Sequence, residues 1–417
     1  MSTPSPHLRI LLASSVSPSA GGGSAAYLRS LGNELARTGQ TVHGLSRVHQ
    51  DLTKNITFWD TDFQGDARYL EFDGWSCNLV KNSARSSVLL KSIPHLMWRR
   101  SLQSLAIANF EIAYGKRLES SVPKQLDVVH FVGAGAEMLG FSALRLARRR
   151  NARFTVTPFV HPGEWADGSI DIRLYNQANA VFVCTDVERR HLIDRGVIPQ
   201  RLRKVPMAPS GMVSADGHTF RERFDLGNRP LVLFMARKHR YKGYHVLRDA
   251  MRLVVSSFPD AVLVAAGPEG VRPYPELPDA NFLDLGELTT SPQDIQTKAD
   301  AYAACDVFCM PSNAEAFGLV YAEAWHYRKP VIAGPAPALA ELIADGTDGF
   351  RVEQDPEQIA HKIIAILADP TLGNTMGQRG YEKQQLHYTW PAVIETHMAE
   401  WRDAPESSIP KAPTHTS

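Results

Sequence analysis

Short apolar runs alternate along the chain with longer segments in which apolar residues recur every three or four positions. LRILLAS (8–14), AAYLRSLGNELARTG (25–39) and TVHGLS (41–46) predict a strand, a helix and a second strand. DVVHFV (127–132), RFTVTPFV (153–160), AVFVCT (180–185) and RKVPMA (203–208) predict later strands with helices between them. A second series begins at PLVLFMA (230–236) and runs through VLVAAG, NFLDLG, DVFCMP, PVIAG and GFRV. In GYHVLRDAMRLVVSSF the residues Val246, Leu247, Ala250, Met251, Val254 and Val255 share one helical face. Apolar strands joined by helical crossovers make parallel sheets covered on both faces. Two such series predict an α/β chain of two Rossmann-like, doubly wound domains.

The Pro/Ser/Gly-rich stretch APSGMVSADG (208–217) marks the expected boundary. We therefore expect an N-terminal domain over 1–208 and a C-terminal domain over 209–388. A helix in TWPAVIETHMAEW follows, within 389–405, and 406–417 has the composition of a loose tail. Residues 50–125 show no clean alternation of strand and helix.

With 417 residues and 44% hydrophobic content, the chain exceeds one ordinary core and is not a disordered sequence. Forty-five Lys and Arg against 44 Asp and Glu leave a net charge of +1, so no global field favours nucleic acid, and any anion site must be local. Four scattered cysteines fit a reducing, cytoplasmic setting, and the C-x3-C of CDVFCM reads as buried strand thiols. The apolar stretch Leu8–Ala13 is too short and lacks the cationic start of a signal peptide. No apolar run is long enough to span a bilayer.

In open α/β sheets, ligands gather at the carboxyl ends of the strands. After the first strand, Gly21, Gly22 and Gly23 open a helix, where backbone N–H groups can meet a negative group or simply make a tight turn. After PLVLFMA come Arg237 and Lys242, a guanidinium and an ammonium suited to a diphosphate. Beyond DVFCMP, Glu315 and Glu323 stand with seven residues between them at the start of a helix. Carboxylates accept hydrogen bonds from vicinal hydroxyls and so suit sugar diols. The N–H groups of Phe317, Gly318 and Leu319 at that helix start are free to meet a phosphate or hydroxyl. A solvated acidic turn has the same spacing.

GGGSAAYLRSLGNELARTGQTVH, DVVHFV, VLFMARKHRYKGYHVL, AAGPEG and EAFGLVYAEAWHYRKPVIAG, in this order, resemble the family 4 retaining glycosyltransferases of GT-B fold. The likeness covers most of the chain, and its strongest element is E-x7-E within EAFGLVYAE. It implies two domains facing across a cleft, with the last helix crossing back to the N-terminal domain. It implies that Glu315 holds donor-sugar hydroxyls, Glu323 the nucleotide ribose, and Arg237 and Lys242 the leaving diphosphate. Phe317, Gly318, Leu319, Gly22, Gly23 and Gly267 would lie along the donor, and His161, ending RFTVTPFVH, would approach the transferred sugar. GPAPALAE replaces the glycines usual before a second phosphate-binding helix. His130 matches a family position and equally fits a packed strand end.

The implied reaction is metal-independent, cofactor-free hexosyl transfer with retention, from a UDP-sugar first and GDP-mannose next, to a glycan, lipid-linked or small-molecule hydroxyl. An isomerase or hydrolase of the same fold, or a binding protein without turnover, shares the nucleotide half. Asp60-Thr61-Asp62 is a D-x-D, the metal signature of the other major glycosyltransferase fold, in a polar setting with no long strand before it. LLKSIPHLMWRRSL places Leu96, Met97 and Trp98 beside Arg99 and Arg100, and Arg145, Arg148, Arg149, Arg150 and Arg153 follow. Both runs are candidates for peripheral contact with an anionic membrane. The second also suits the C-terminal end of a helix dipole.

Overall fold

A computed structural model describes residues 7–47, 69–80, 87–270 and 273–402. Asp60, Asp62 and the expected tail lie outside them. The first half contains β1 (Arg9–Ser14), α1 (Gly23–Arg37), β2 (Thr41–Arg47), β3 (Tyr69–Phe72), β4 (Trp75–Val80), α2 (Ser87–Met97) and α3 (Gln103–Ser120). It continues through β5 (Val128–Val132), α4 (Leu139–Arg150), β6 (Arg153–Thr157), α5 (Ser169–Tyr175), β7 (Ala180–Val183), α6 (Asp186–Asp194) and β8 (Leu202–Lys204). These strands form one sheet in the order β3-β4-β2-β1-β5-β6-β7-β8, parallel except at β3.

The second half begins with α7 (Gly217–Arg223), β9 (Leu231–Met235), α8 (Tyr244–Ser257), β10 (Val262–Ala266), β11 (Phe282–Gly286) and α9 (Pro292–Ala304). Then come β12 (Val307–Met310), α10 (Leu319–His326), β13 (Val331–Ala333), α11 (Leu339–Leu342), β14 (Phe350–Arg351), α12 (Pro356–Ala368), α13 (Pro370–His387) and α14 (Trp390–Arg402). Its strands form a parallel sheet in the order β11-β10-β9-β12-β13-β14. In both sheets the order reverses beside the first strand of the series, which opens a crevice at the carboxyl ends.

The two-residue period of β1 sorts its side chains between two cores. Ile10 and Leu12 join a buried cluster that continues through α14 into the second half, while Leu11 and Ala13 join a cluster on the opposite face. Helix α14 packs back on α1 of the first half. There Tyr27 Oη lies 3.1 Å from His397 Nε2, Trp401 Nε1 donates to Thr155 Oγ1 at 3.0 Å, and Glu400 pairs with Arg153 and, at 2.7 Å, with Arg203. His130 is fully buried between Thr155 and Thr157 and edge-on to His397, a packed strand residue and not a site group.

Several expected elements shift for identifiable reasons. RFTVTPFV and RKVPMA keep strand structure only to Thr157 and Lys204, because Pro158 and Pro206 have no N–H for the ladder. The expected helix at AFGLVYAE begins at Leu319, with Gly318 as its N-cap. Residues 69–120 hold an antiparallel edge ribbon and a helical hairpin, α2 against α3, absent from the expected alternation. Leu96 and Met97 pack on the core beneath that hairpin and do not join Trp98 outside. The second arginine run is absorbed internally: Arg145 meets Glu111 at 2.5 Å, Arg149 meets Glu119 at 2.5 Å, and Arg148 donates to Gln177.

Candidate active site

Two loops at the carboxyl ends of β9 and β12 are sewn together by backbone bonds. Asn313 N donates to the Tyr241 carbonyl at 2.7 Å, and Gln354 Nε2 donates to both Tyr241 O and Pro311 O. Gly243 makes this approach possible: its φ is +76°, and a Cβ there would collide with the Pro311 carbonyl. The result is a buried ion pair, Lys242 Nζ to Glu315 Oε1 at 2.6 Å, with side chains 13% and 7% exposed. A pair this well desolvated is costly to break from one side, because the survivor is left buried and uncompensated.

Next to that pair, the N–H groups of Phe317, Gly318 and Leu319 have no acceptor among the described residues and open α10. Glu323 lies one and a half turns further on, nearly buried. Its Oε1 accepts from Lys298 Nζ at 2.7 Å and its Oε2 from Tyr302 Oη at 3.0 Å. Arg237 follows β9, half-buried and without an ion-pair partner among the described residues. Gly267, at φ +134°, ends β10 where any Cβ would strike the Ala236 carbonyl, so close strand packing accounts for it. The neighbouring Lys238 is buried against Glu269 at 2.6 Å and Asp284 at 2.5 Å and ties the ends of β9, β10 and β11.

The first half presents its own loops to this surface. Gly22 is the N-cap of α1, and a carbon added at Gly23 would lie 3.8 Å from Leu319 Cδ1 across the divide. Thr290 Oγ1 donates to the Ser19 carbonyl at 3.2 Å, beside the same loop. His161 stands in the loop after β6. The preceding Phe159 has φ +53°, a strained conformation for its residue type, held by an edge-on contact with Tyr27 at 5.1 Å and by the Val160 N–H donating to Glu188. His161 Nδ1 lies 3.1 Å from the Phe159 carbonyl, which can only accept, so Nδ1 carries the proton and Nε2 is left as an acceptor. Burial, and then the Lys242 ammonium, hold this imidazole below its usual range, with Glu315 acting in the other direction. His161, Lys242 and Glu315 thus share one electrostatic environment although they come from different halves.

Loop order in the first half rests on buried carboxylates. Glu137 accepts from Ala134 N, Asp171 from Ala136 N and Gly168 N, and Glu188 from Val160 N and Cys184 N. Burial pushes Glu137 and Glu188 up to about 7 and Asp171 up to about 6. The halves are also clamped directly, because Glu341 on α11 accepts from Asp186 N and Val187 N at the start of α6 and pairs with Lys204 at 3.2 Å.

Sequence reasoning missed Lys298, Tyr302 and Glu341. Lys298 and Tyr302 carried a signal: four residues apart on a helix, they share a face and so could meet one carboxylate. Glu341 carried none, since its partners are backbone groups distant in sequence. Among the described residues no cluster of three or more His, Cys, Asp or Glu could hold a metal ion.

Known proteins align with this architecture. The model of the glycosyl transferase 4-like domain matches residues 22–208, and that of glycosyl transferases group 1 matches residues 218–383. D-inositol 3-phosphate glycosyltransferase of Segniliparus rotundus is 28% identical over 56% of this chain and 54% of its own length. The same-named protein of Xylanimonas cellulosilytica is 32% identical over 44% of each. The chain spans about half the length of the curated relatives it matches. Among solved structures, sucrose-phosphate synthase of Thermosynechococcus elongatus superposes with TM-score 0.70 at 21% identity, covering 94% of this chain and 98% of that one. Anabaena HepE, solved with UDP and glucose, superposes with TM-score 0.67 at 16% identity, covering 94% and 98%. With both family models matched in order and the two-sheet fold in place, the chain belongs to the group 1 glycosyl transferases of GT-B fold.

Proposed function

We propose that this protein is a retaining glycosyltransferase that moves a hexosyl unit from a nucleotide-diphosphate sugar, a UDP-sugar before GDP-mannose, to an acceptor hydroxyl. The observation that carries it is the buried Lys242–Glu315 pair, set beside unpartnered N–H groups of the second half and within electrostatic range of His161 from the first. HepE, of the same fold, was solved with UDP and glucose, and the relatives named above are glycosyltransferases.

In this reading the anomeric C–O bond breaks and its electron pair leaves with the diphosphate. Arg237, Lys242 and the N–H groups of Phe317 to Leu319 meet that growing charge as fixed, preorganised groups. Glu315 accepts from a sugar hydroxyl on the oxygen not held by Lys242, and neutral His161 accepts another at Nε2. Glu323, with each oxygen already oriented by Lys298 or Tyr302, takes ribose hydroxyls on its remaining lone pairs. The acceptor oxygen bonds to the anomeric carbon on the face the diphosphate vacates, and its proton passes to that departing diphosphate. No metal or cofactor is needed in this scheme.

Thermal shift against a panel of UDP-, GDP- and ADP-sugars, followed by product analysis with and without acceptor, tests the reading. Stabilisation by a UDP-sugar with acceptor-dependent turnover is expected. Full donor consumption without acceptor would make the protein a hydrolase or isomerase, and binding without turnover would make it a sensor.

A further inference from the structure

The hairpin of α2 and α3 carries an outer surface that the catalytic reading leaves unexplained. On α2 the outward positions are Val88, Lys91 and His95, and Trp98 follows in the turn just after the helix. On α3 they include Leu105, Ala108, Ile112 and Lys116. Val88 is 73% exposed, Trp98 83%, Leu105 50% and Ile112 71%, so both helices and the turn between them present large apolar side chains to solvent. Isolated exposed apolar residues are ordinary, but a shared stripe along two adjacent helices is a contact surface.

Charge identifies the occupant. Residues 87–117 contain Lys91, Arg99, Arg100, Lys116 and Arg117 and a single carboxylate, Glu111, which turns inward to Arg145. Lys91, Arg99, Arg100 and Lys116 are exposed with no carboxylate partner among the described residues. Beside the turn between the helices lies a cavity of about 550 Å³ lined by three arginines, Arg100, Arg173 and Arg195, against one carboxylate, Asp194, with Gln103 and Ser169. An apolar stripe at the level of acyl chains, flanked by cations and an arginine-lined recess at the level of phosphates, matches a lipid surface. No described helix is long and apolar enough to cross a bilayer, which leaves the contact on its surface.

We infer that the α2–α3 hairpin docks this protein on a bilayer bearing anionic phospholipids, with the arginine-lined cavity taking a headgroup phosphate. Gln103 Nε2 donates to Ser169 Oγ at 2.8 Å, which joins the docking turn to the segment that follows His161. The bilayer therefore meets the molecule next to the loop that faces the transferred sugar. This inference rests on the proposed transfer reaction only for what it adds there: the acceptor hydroxyl belongs to a lipid-carried molecule.

Co-sedimentation with vesicles of phosphatidylcholine alone, and of phosphatidylcholine with roughly a third phosphatidylglycerol, tests it. The full chain should partition at least about tenfold better onto the anionic vesicles, and less so as salt rises. Trp98→Ser with Ile112→Ser, and separately Arg99→Glu with Arg100→Glu, should each lower that partition about tenfold with melting temperature and UDP-induced thermal shift unchanged. Equal partition onto neutral and anionic vesicles, or variants that bind like the parent, would overturn the docking. So would a dimer in sedimentation velocity that the Trp98 variant dissolves, since the surface would then join two copies. Failure of the parent protein to bind either kind of vesicle, with its UDP shift intact, refutes the docking alone. Vesicle binding without a UDP shift refutes the transfer reading alone.

Discussion

In the second half Glu315 meets Lys242, Glu323 meets Lys298 and Asp348 meets Lys383, whereas in the first half Glu137, Asp171 and Glu188 meet backbone N–H groups. The two halves have similar sheets and similar crevice loops, yet these six carboxylates have different principal partners. A lysine partner keeps a carboxylate ionised and aims it, at the cost of making each partner dependent on the other. Backbone N–H groups fix a loop's shape but leave the carboxyl free to protonate when burial outweighs them. At these positions the second half is thus organised around charge, and the first around loop shape.

The largest expected effects come from breaking charge in the second half. If the proposed reaction holds, Arg237→Ala and Glu315→Ala should each lower kcat/KM by about two orders of magnitude or more, because each would remove charge or hydrogen bonding next to the breaking bond. Lys242→Met should do the same. The double variant Lys242→Met with Glu315→Gln should lose little more than either single one, since the two act as one unit. Additive losses in that cycle would show that the ion pair is not a functional unit.

Glu323 sharpens the comparison one step further from the reacting bond. Its contacts are with α9, not with the Lys242 loop, so Glu323→Ala should raise the donor KM by about tenfold and lower kcat less. Tyr302→Phe, which removes one of the two bonds that orient Glu323, should move KM in the same direction by a smaller factor. Equal falls in kcat and kcat/KM would place Glu323 at the chemistry.

In the first half the probe is pH. Folding raises the pKa values of Glu137, Asp171 and Glu188, so the folded state holds their protons more tightly than the unfolded chain. Their stabilising contribution is present at low pH and is lost as pH rises through about 6 to 7. Buried His130 and His397, held below their usual range, act in the opposite direction, so the probe is a difference: the melting temperature of the parent relative to Glu137→Gln should fall by about a few degrees between about pH 5 and pH 8. A variant profile parallel to the parent's would show that Glu137 is ionised in the folded state throughout.

Much of this could be read from sequence, and the differences have physical causes. The strands of both sheets were legible because burial on both faces leaves short, continuous apolar runs, as at Leu231–Met235 and Val262–Ala266. Residues 69–120 were not, because an exposed edge ribbon and a surface hairpin mix polar and apolar positions without one clear period. Glu315 and Lys242 are legible in the sequence as chemistry, one suited to a sugar and the other to a diphosphate, but not as a pair. Their 2.6 Å contact depends on loops 73 residues apart, stitched through Tyr241, Asn313 and Gly243. The first-half carboxylates were silent, since a residue that accepts from backbone has no partner type to look for.

The smallest expected effect bears on how complete the charge in the second half is. Lys242 is partly spent on Glu315, so in the proposed reaction the diphosphate would depend on Arg237, on the N–H groups of Phe317 to Leu319 and on the share of Lys242 that the carboxylate leaves. Fixed donors in a dry site are worth far more than the same groups in water, and they need no reorganisation as charge develops. Transfer should therefore persist in EDTA with the rate essentially unchanged, and proton NMR of the new glycoside should show an α-linked donor giving an α-linked product. A rate abolished by chelation and restored by manganese would mean that protein groups do not suffice at the diphosphate and would bring Asp60 and Asp62 forward. A β-linked product would leave the fold and the ion pair in place and remove retention, because the acceptor would then have approached from the side opposite Arg237 and Lys242.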